Sequence, residues 1–146
     1  MKLQTKYHGE IEIKDTEVIE FSTGIPGFIN EKKFVILRLE EESPFFILQS
    51  VGTPELAFVL AIPFLYFKDY EIELDENTIS QLHIEREEDV SVYSILTVKD
   101  PFEQTTANLQ APIIINNQSK RGKQIILTNT SYKTKHVLFE RMKEEV

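Results

Sequence analysis

The sequence predicts an all-β fold: a compact, antiparallel β-barrel-like single domain over residues 1–146, with one or two short helices. Three observations carry this expectation. About nine short apolar runs with strand-type alternation recur along the chain, each closed by a turn signal. Pro44, Pro54, Pro63 and Pro101 fall at the edges of those runs, where a missing N–H does least harm to a ladder. The chain is 41% hydrophobic, with 10 Phe and 5 Tyr. That is enough to fill a core in a domain that buries roughly two-thirds of its unfolded surface.

The first element, KLQTKYHGEIEI, reads as a hairpin bent at His8-Gly9, with Ile11 and Ile13 alternating against Glu10, Glu12 and Lys14. EVIEF (17–21) follows, and then the turn-rich TGIPGF (23–28). In that turn Gly24 and Gly27 supply unusual backbone angles on either side of Pro26. FVILRL (34–39), FFILQS (45–50), LAFVLAI (56–62) and YEIEL (70–74) are the next strands. In YEIEL the two-residue period places Tyr70, Ile72 and Leu74 on one face and Glu71 and Glu73 on the other. DENTISQL (75–82) is helical: Asp75 is a good N-cap, and Ile79 and Leu82 stand three apart. VSVYSILTVK (90–99), APIIIN (111–116) and KQIIL (123–127) complete the strands. The tail KTKHVLFERMKEEV shows Val137, Leu138, Arg141 and Met142 at helical spacing and is the second helix candidate. No internal repeat, linker or low-complexity segment interrupts the chain.

Charge and composition exclude several function classes. Net charge is −8, which disfavours direct nucleic-acid binding, where phosphate neutralisation dominates affinity. The charge is segregated. Residues 69–89 hold nine acids against Arg86 alone, and residues 117–143 hold seven bases against Glu140 alone. Such a surface suits a basic or charge-segregated partner. With no cysteine there is neither a disulfide framework nor a thiolate site. The N-terminus lacks the apolar region of a secretory signal, and no apolar run approaches the ~20 residues that cross a bilayer. A cytoplasmic address without membrane contact is the expectation.

Catalysis finds no support in the residues. His8, His83 and His136 form no metal-ligand spacing, and no serine sits in a GxSxG-type turn. The glycines build no phosphate loop. No cofactor is implied. Glu71 and Glu73 read as a solvated acidic ladder rather than a catalytic dyad, which needs a buried carboxyl with a raised pKa. TANLQAPIIIN (106–116) sets Asn108 and Gln110 beside an apolar run broken by Pro112. With no nucleophile or base beside them, these amides do not make an oxyanion site. Two readings stay open. They satisfy their own loop backbone by Asx-type bonds, with Leu109, Ile113 and Ile115 pointing inward, or they form a partner-binding edge.

Several segments together resemble the flagellar assembly factor FliW family. They are FSTGIPGF (21–28), PFFILQSVGTPELAFVL (44–60), PFLYFKDYEIEL (63–74), TANLQAPIIIN (106–116) and RGKQIIL (121–127), followed by a tyrosine-plus-basic close from Tyr132 to His136. The resemblance spans nearly the whole chain. It implies a cytoplasmic, non-enzymatic bacterial protein of β-barrel-like fold that binds the translational repressor CsrA and relieves its silencing of flagellin mRNA. It also implies binding to flagellin, in competition with CsrA, which couples flagellin synthesis to secretion. On that basis Glu71, Glu73, Asp75 and Glu76 are candidates for contact with CsrA, and Ile25, Phe28 and Leu109 for contact with flagellin. Ile25 and Phe28 have an alternative role as a cover for the barrel end. The competing function class is a small-molecule-binding β-barrel, or an enzyme whose site residues converge only in the fold. A large apolar cavity with converging polar groups would mark it.

Overall fold

The computed structural model describes residues 1–128 and 130–139. Strands β1 (Lys2–Gln4) and β2 (Glu10–Glu12) pair as the expected N-terminal hairpin, with Gly9 at φ 64° in the bend. The remaining strands are β3 (Ile19–Glu20), β4 (Lys33–Arg38), β5 (Phe45–Ser50), β6 (Ala57–Ala61), β7 (Val90–Thr97), β8 (Thr106–Ala107), β9 (Ile113–Asn116), β10 (Arg121–Gln124) and β11 (His136–Val137). Seven of them close into a barrel in the order β7-β6-β5-β4-β3-β10-β9, with β9 returning to β7. Closure leaves no open edge in the ring. Its neighbours are antiparallel except β3 and β10, which run parallel where Glu20 faces Arg121. Outside the ring, β8 pairs with the end of β7, and β11 pairs with β8.

Alternation along the strands divides the apolar residues among three clusters. The inward positions fill the lumen with Ile19, Phe21, Phe34, Leu48, Ile113 and Ile115, all buried. Phe21 meets Phe34 edge-on at 5.2 Å between ring centroids. Gly122 on β10 makes room for that pair, since a Cβ there would stand 2.6 Å from Phe21 Cζ. The lumen is therefore a packed core and not a ligand chamber. Outside the ring, the N-terminal hairpin lays Leu3 and Ile13 on Val35. The buried Gln49 amide is held beneath it, accepting from Lys6 N at 3.0 Å and donating to the Pro54 carbonyl at 3.1 Å. A third cluster, with Tyr70, Leu96, Leu109, Leu127 and Leu138, lies under the segments that follow β6, β8 and β10.

Three expectations are corrected. YEIEL (70–74) has the expected alternation but joins no ladder: Glu71 and Glu73 are exposed, while Ile72 and Leu74 are half-buried. Side chains anchor it instead, through Tyr70 Oη donating to the Leu109 carbonyl at 2.7 Å and Tyr132 Oη accepting from Glu71 N at 3.0 Å. The last strand of the barrel is shifted to Arg121–Gln124 from the expected 123–127, and β9 begins only at Ile113. Pro112 has no N–H and serves only as acceptor, from Ile125 N at 3.0 Å, so the regular ladder ends there. In the tail, residues 136–137 form a strand where the sequence shows helical spacing. The edge of β8 was open to them, and Leu138 N goes on to donate to the Thr105 carbonyl at 3.0 Å. Arg141 and Met142 lie outside the described residues.

Helix α1 (Glu76–Gln81) forms where expected. Its exit is tied to the barrel. Buried Asn116 on β9 donates from Nδ2 to the carbonyls of Leu82 (2.9 Å) and His83 (3.0 Å), and Ser119 Oγ donates to Leu82 at 2.8 Å. Carbonyls that a short helix leaves without partners are thereby satisfied.

Candidate functional site

The four carboxylates Glu71, Glu73, Asp75 and Glu76 are exposed together on the anchored segment and the first residue of α1. None of them forms an ion pair among the described residues, where the N-terminal ammonium and Glu12 make one at 3.5 Å. Their field is consequently directed at solvent. The segment is a ridge between two clefts. On one side Glu71, Glu73 and Asp75 border a cleft of about 540 Å³ that includes Ile72, Ile125 and the exposed Ile126. On the other side, Glu73 and Glu87 flank a groove of about 400 Å³ based on Leu74, Ile79, Ile84 and Val92. The first cleft is mainly polar, and the second has an apolar floor beneath its acidic rim; together they suit an amphipathic, basic surface.

Asp75 shows how the local sequence builds the ridge. Its carboxylate accepts from Thr78 N at 2.7 Å and starts α1. Hydrogen bonding from the Thr78 backbone, then from its side chain, holds the Asp75 carboxyl below the usual carboxylate range, with Lys123 adding a smaller attraction. A carboxylate depressed in this way stabilises the fold at pH above its unfolded value. The contribution disappears as pH falls through the folded value. Thermal scans are expected to show Asp75→Ala melting earlier than the parent at pH 7, with the gap closing on acidification. Asp75→Asn, also a strong N-cap, should melt near the parent at pH 7. Identical melting of the alanine variant and the parent would remove the cap from this account.

The apolar candidates separate. Gly24 (φ 69°) and Gly27 (φ 87°) give the turn its two left-handed residues, and a Cβ at Gly24 would lie 2.5 Å from the Ile29 carbonyl oxygen. Pro26 is exposed between them. Ile25 turns into the lumen and is 2% exposed, sealing one end of the barrel, whereas Phe28 is 41% exposed. Phe28 packs edge-on against Phe58 at 5.6 Å beside the exposed Ile29. Leu109 is likewise 2% exposed. Neither the Ile25 nor the Leu109 side chain presents a surface anchor, because packing inside the barrel and beneath Tyr70 has claimed them. Phe28 keeps the surface position.

The amides behave differently from each other. Asn108 Oδ1 accepts from Ala111 N at 3.0 Å, the Asx-type bond of a loop entering a strand. Gln110 acts through its backbone, donating to the Lys133 carbonyl at 3.2 Å and accepting from Leu127 N at 2.8 Å. Pro112 is buried and marks the end of the ladder. Sequence reasoning missed Ile29, Ile126 and the paired clefts. Exposure of single apolar residues in turns leaves no periodic signal to read.

Among the described residues no group of three His, Asp or Glu side chains is placed to hold a metal ion, and no helix is long and apolar enough to cross a membrane.

Comparison with known proteins matches residues 2–138 to the family model described as "FliW protein". The flagellar assembly factor FliW of Geobacillus kaustophilus (strain HTA426) is 63% identical over 139 residues, covering 95% of this chain and 96% of the relative. That of Bacillus subtilis (strain 168) is 52% identical over 136 residues, covering 93% and 95%. A crystal structure of the flagellar assembly factor FliW superposes with a TM-score of 0.89 at 59% identity, covering 97% of this chain and 99% of the other.

Proposed function

This chain belongs to the FliW family, and from that premise we propose that it is a non-enzymatic flagellar assembly factor of the bacterial cytoplasm. In this reading it binds the translational repressor CsrA on its acidic ridge and flagellin at a separate apolar patch, so that flagellin leaving the cell releases it to capture CsrA. One observation carries the reading: four exposed carboxylates, none of them in an ion pair among the described residues, crown a ridge between two clefts, one of which has an apolar floor. A basic RNA-binding protein is complementary to such a surface. Nothing in it is arranged to bind RNA.

Phosphate mimicry does not suit the ridge, because carboxylates at the end of an extended segment and the start of a helix do not follow the spacing of a nucleic-acid backbone. CsrA is instead silenced from beside its RNA site. The acidic stretch repels approaching phosphates within a screening length of about 8 Å at physiological salt. Titrating the preformed complex with RNA tests this. Excess RNA should fail to displace the protein fully, and raised salt should partly restore RNA binding while the complex stays intact. Stoichiometric displacement along a simple competitive isotherm would overturn the allosteric mode in favour of mimicry.

Flagellin docks through apolar contact, and Phe28 with Ile29 is the exposed apolar pair that the turn offers. Truncating a central anchor of an interface costs about 2 kcal/mol or more. Phe28→Ala is expected to weaken flagellin binding by at least that amount in calorimetric titrations, leaving CsrA binding unchanged. Unaltered flagellin affinity in a folded variant would return the turn to its barrel-sealing role alone.

A further inference from the structure

A third cleft, of about 490 Å³, lies between segments 66–70 and 131–138 and adjoins the acidic cleft where Tyr70 precedes Glu71. One wall carries Tyr66, Phe67 and Tyr70, the other Tyr132 and His136, and Leu109 lies at its base. The rings hold one another: Tyr70 and Tyr132 are 4.7 Å apart between centroids, Phe67 and His136 6.0 Å, and Tyr132 and His136 6.4 Å. Both tyrosine hydroxyls are engaged with backbone. Tyr70 Oη donates to the Leu109 carbonyl, and Tyr132 Oη bridges Glu71 N and the Asp69 carbonyl at 3.0 and 3.3 Å. The shape is thus set before any partner arrives, which lowers the ordering cost of binding. Its volume is within the range of clefts that take a small ligand or an anchoring side chain.

Charge selects the occupant. Lys68 lines the cleft, and Lys133 and Lys135 are exposed in the segment that forms its second wall, against Asp69 as the acid among the described lining residues. On a chain of net charge −8 this is a local cationic excess around an aromatic floor. We propose that the cleft between segments 66–70 and 131–138 is a docking site for an acidic peptide segment bearing one large apolar or aromatic anchor. The anchor rests on the open face of the ring cluster, whose members stay in contact with one another, and flanking carboxylates meet the lysines. Single-stranded nucleic acid also uses stacking rings with basic residues, but it carries a charge at every nucleotide and would have to run past the acidic ridge that begins at Glu71, one residue beyond Tyr70. A short peptide, by contrast, can keep its carboxylates on the lysine side. The site goes beyond the function proposed above, which needs only the ridge and the Phe28 patch.

The test uses the full chain, labelled with ¹⁵N, and three probes: a short peptide with a central Phe flanked by Asp and Glu, the same peptide flanked by Lys and Arg, and an oligouridylate. The acidic peptide should produce saturable amide shifts over residues 66–70 and 131–137. Glu71 should shift with them, because its N–H is bonded to Tyr132. Reversing the three exposed charges, Lys68→Glu, Lys133→Glu and Lys135→Glu, should weaken the acidic peptide by about tenfold or more and favour the basic one. If the triple variant does not fold, Lys68→Glu alone should show the same direction. Stronger shifts at these amides from the basic peptide or the oligouridylate overturn the proposal. So does the absence of shifts with all three probes, or a change at these amides with protein concentration alone, which would mean that a second copy fills the cleft.

Discussion

Phe21→Ala is expected to lower the unfolding free energy by about 3–5 kcal/mol, the range for emptying a fully buried aromatic site. Phe21 has no exposed surface, stacks edge-on with Phe34 and is met from the opposite strand by the bare backbone of Gly122. It follows β3 directly and reaches Gly122 of β10 beside the parallel pairing of those two strands. Urea denaturation with linear extrapolation measures the loss. The companion variant Gly122→Ala approaches the same ring from the other side, and overpacking of this kind costs about 1–3 kcal/mol. In a Phe21→Leu background that cost should shrink, because the ring atoms the new methyl would strike are gone. Strict additivity of the two substitutions would show that Gly122 is not there to accommodate the phenylalanine.

The second large effect is expected in association kinetics. Glu71→Lys combined with Glu73→Lys reverses the centre of the acidic ridge without touching a buried group, since both side chains are exposed. Exposed charge pairs contribute only about 0.2–1 kcal/mol each to affinity. Their summed field nonetheless steers encounter, and complementary fields raise on-rates by about tenfold or more. Stopped-flow mixing with CsrA should show association slowed by about that factor at low salt, with a flatter salt dependence. Flagellin binding should be preserved if, as proposed, it rests on apolar contact at Phe28 and Ile29. A correctly folded double variant with parental association kinetics would remove the ridge from the proposed CsrA interface.

The division between what was legible in the sequence and what was not follows from the range of the forces involved. Strands such as 45–50, the left-handed turn glycines Gly24 and Gly27, and the Asp75 cap depend on side-chain period, backbone sterics and a hydrogen bond three residues away. All of these are local, and the sequence by itself determined them, along with the acidic stretch whose charges stay in solvent. Tertiary structure decided the rest. It turned Ile25 into the lumen and left Phe28 outside, although the two are three residues apart in one turn and equally apolar. It withdrew Leu109 beneath Tyr70. It also kept YEIEL out of the sheet, because its backbone partner was the hydroxyl of Tyr132, 61 positions away. Ring closure is likewise non-local: pairing β3 with β10 brings Glu20 beside Arg121, and no periodicity within either segment encodes that meeting. Alternation specifies which residues share a face, but which face is covered depends on what the remainder of the chain lays over it.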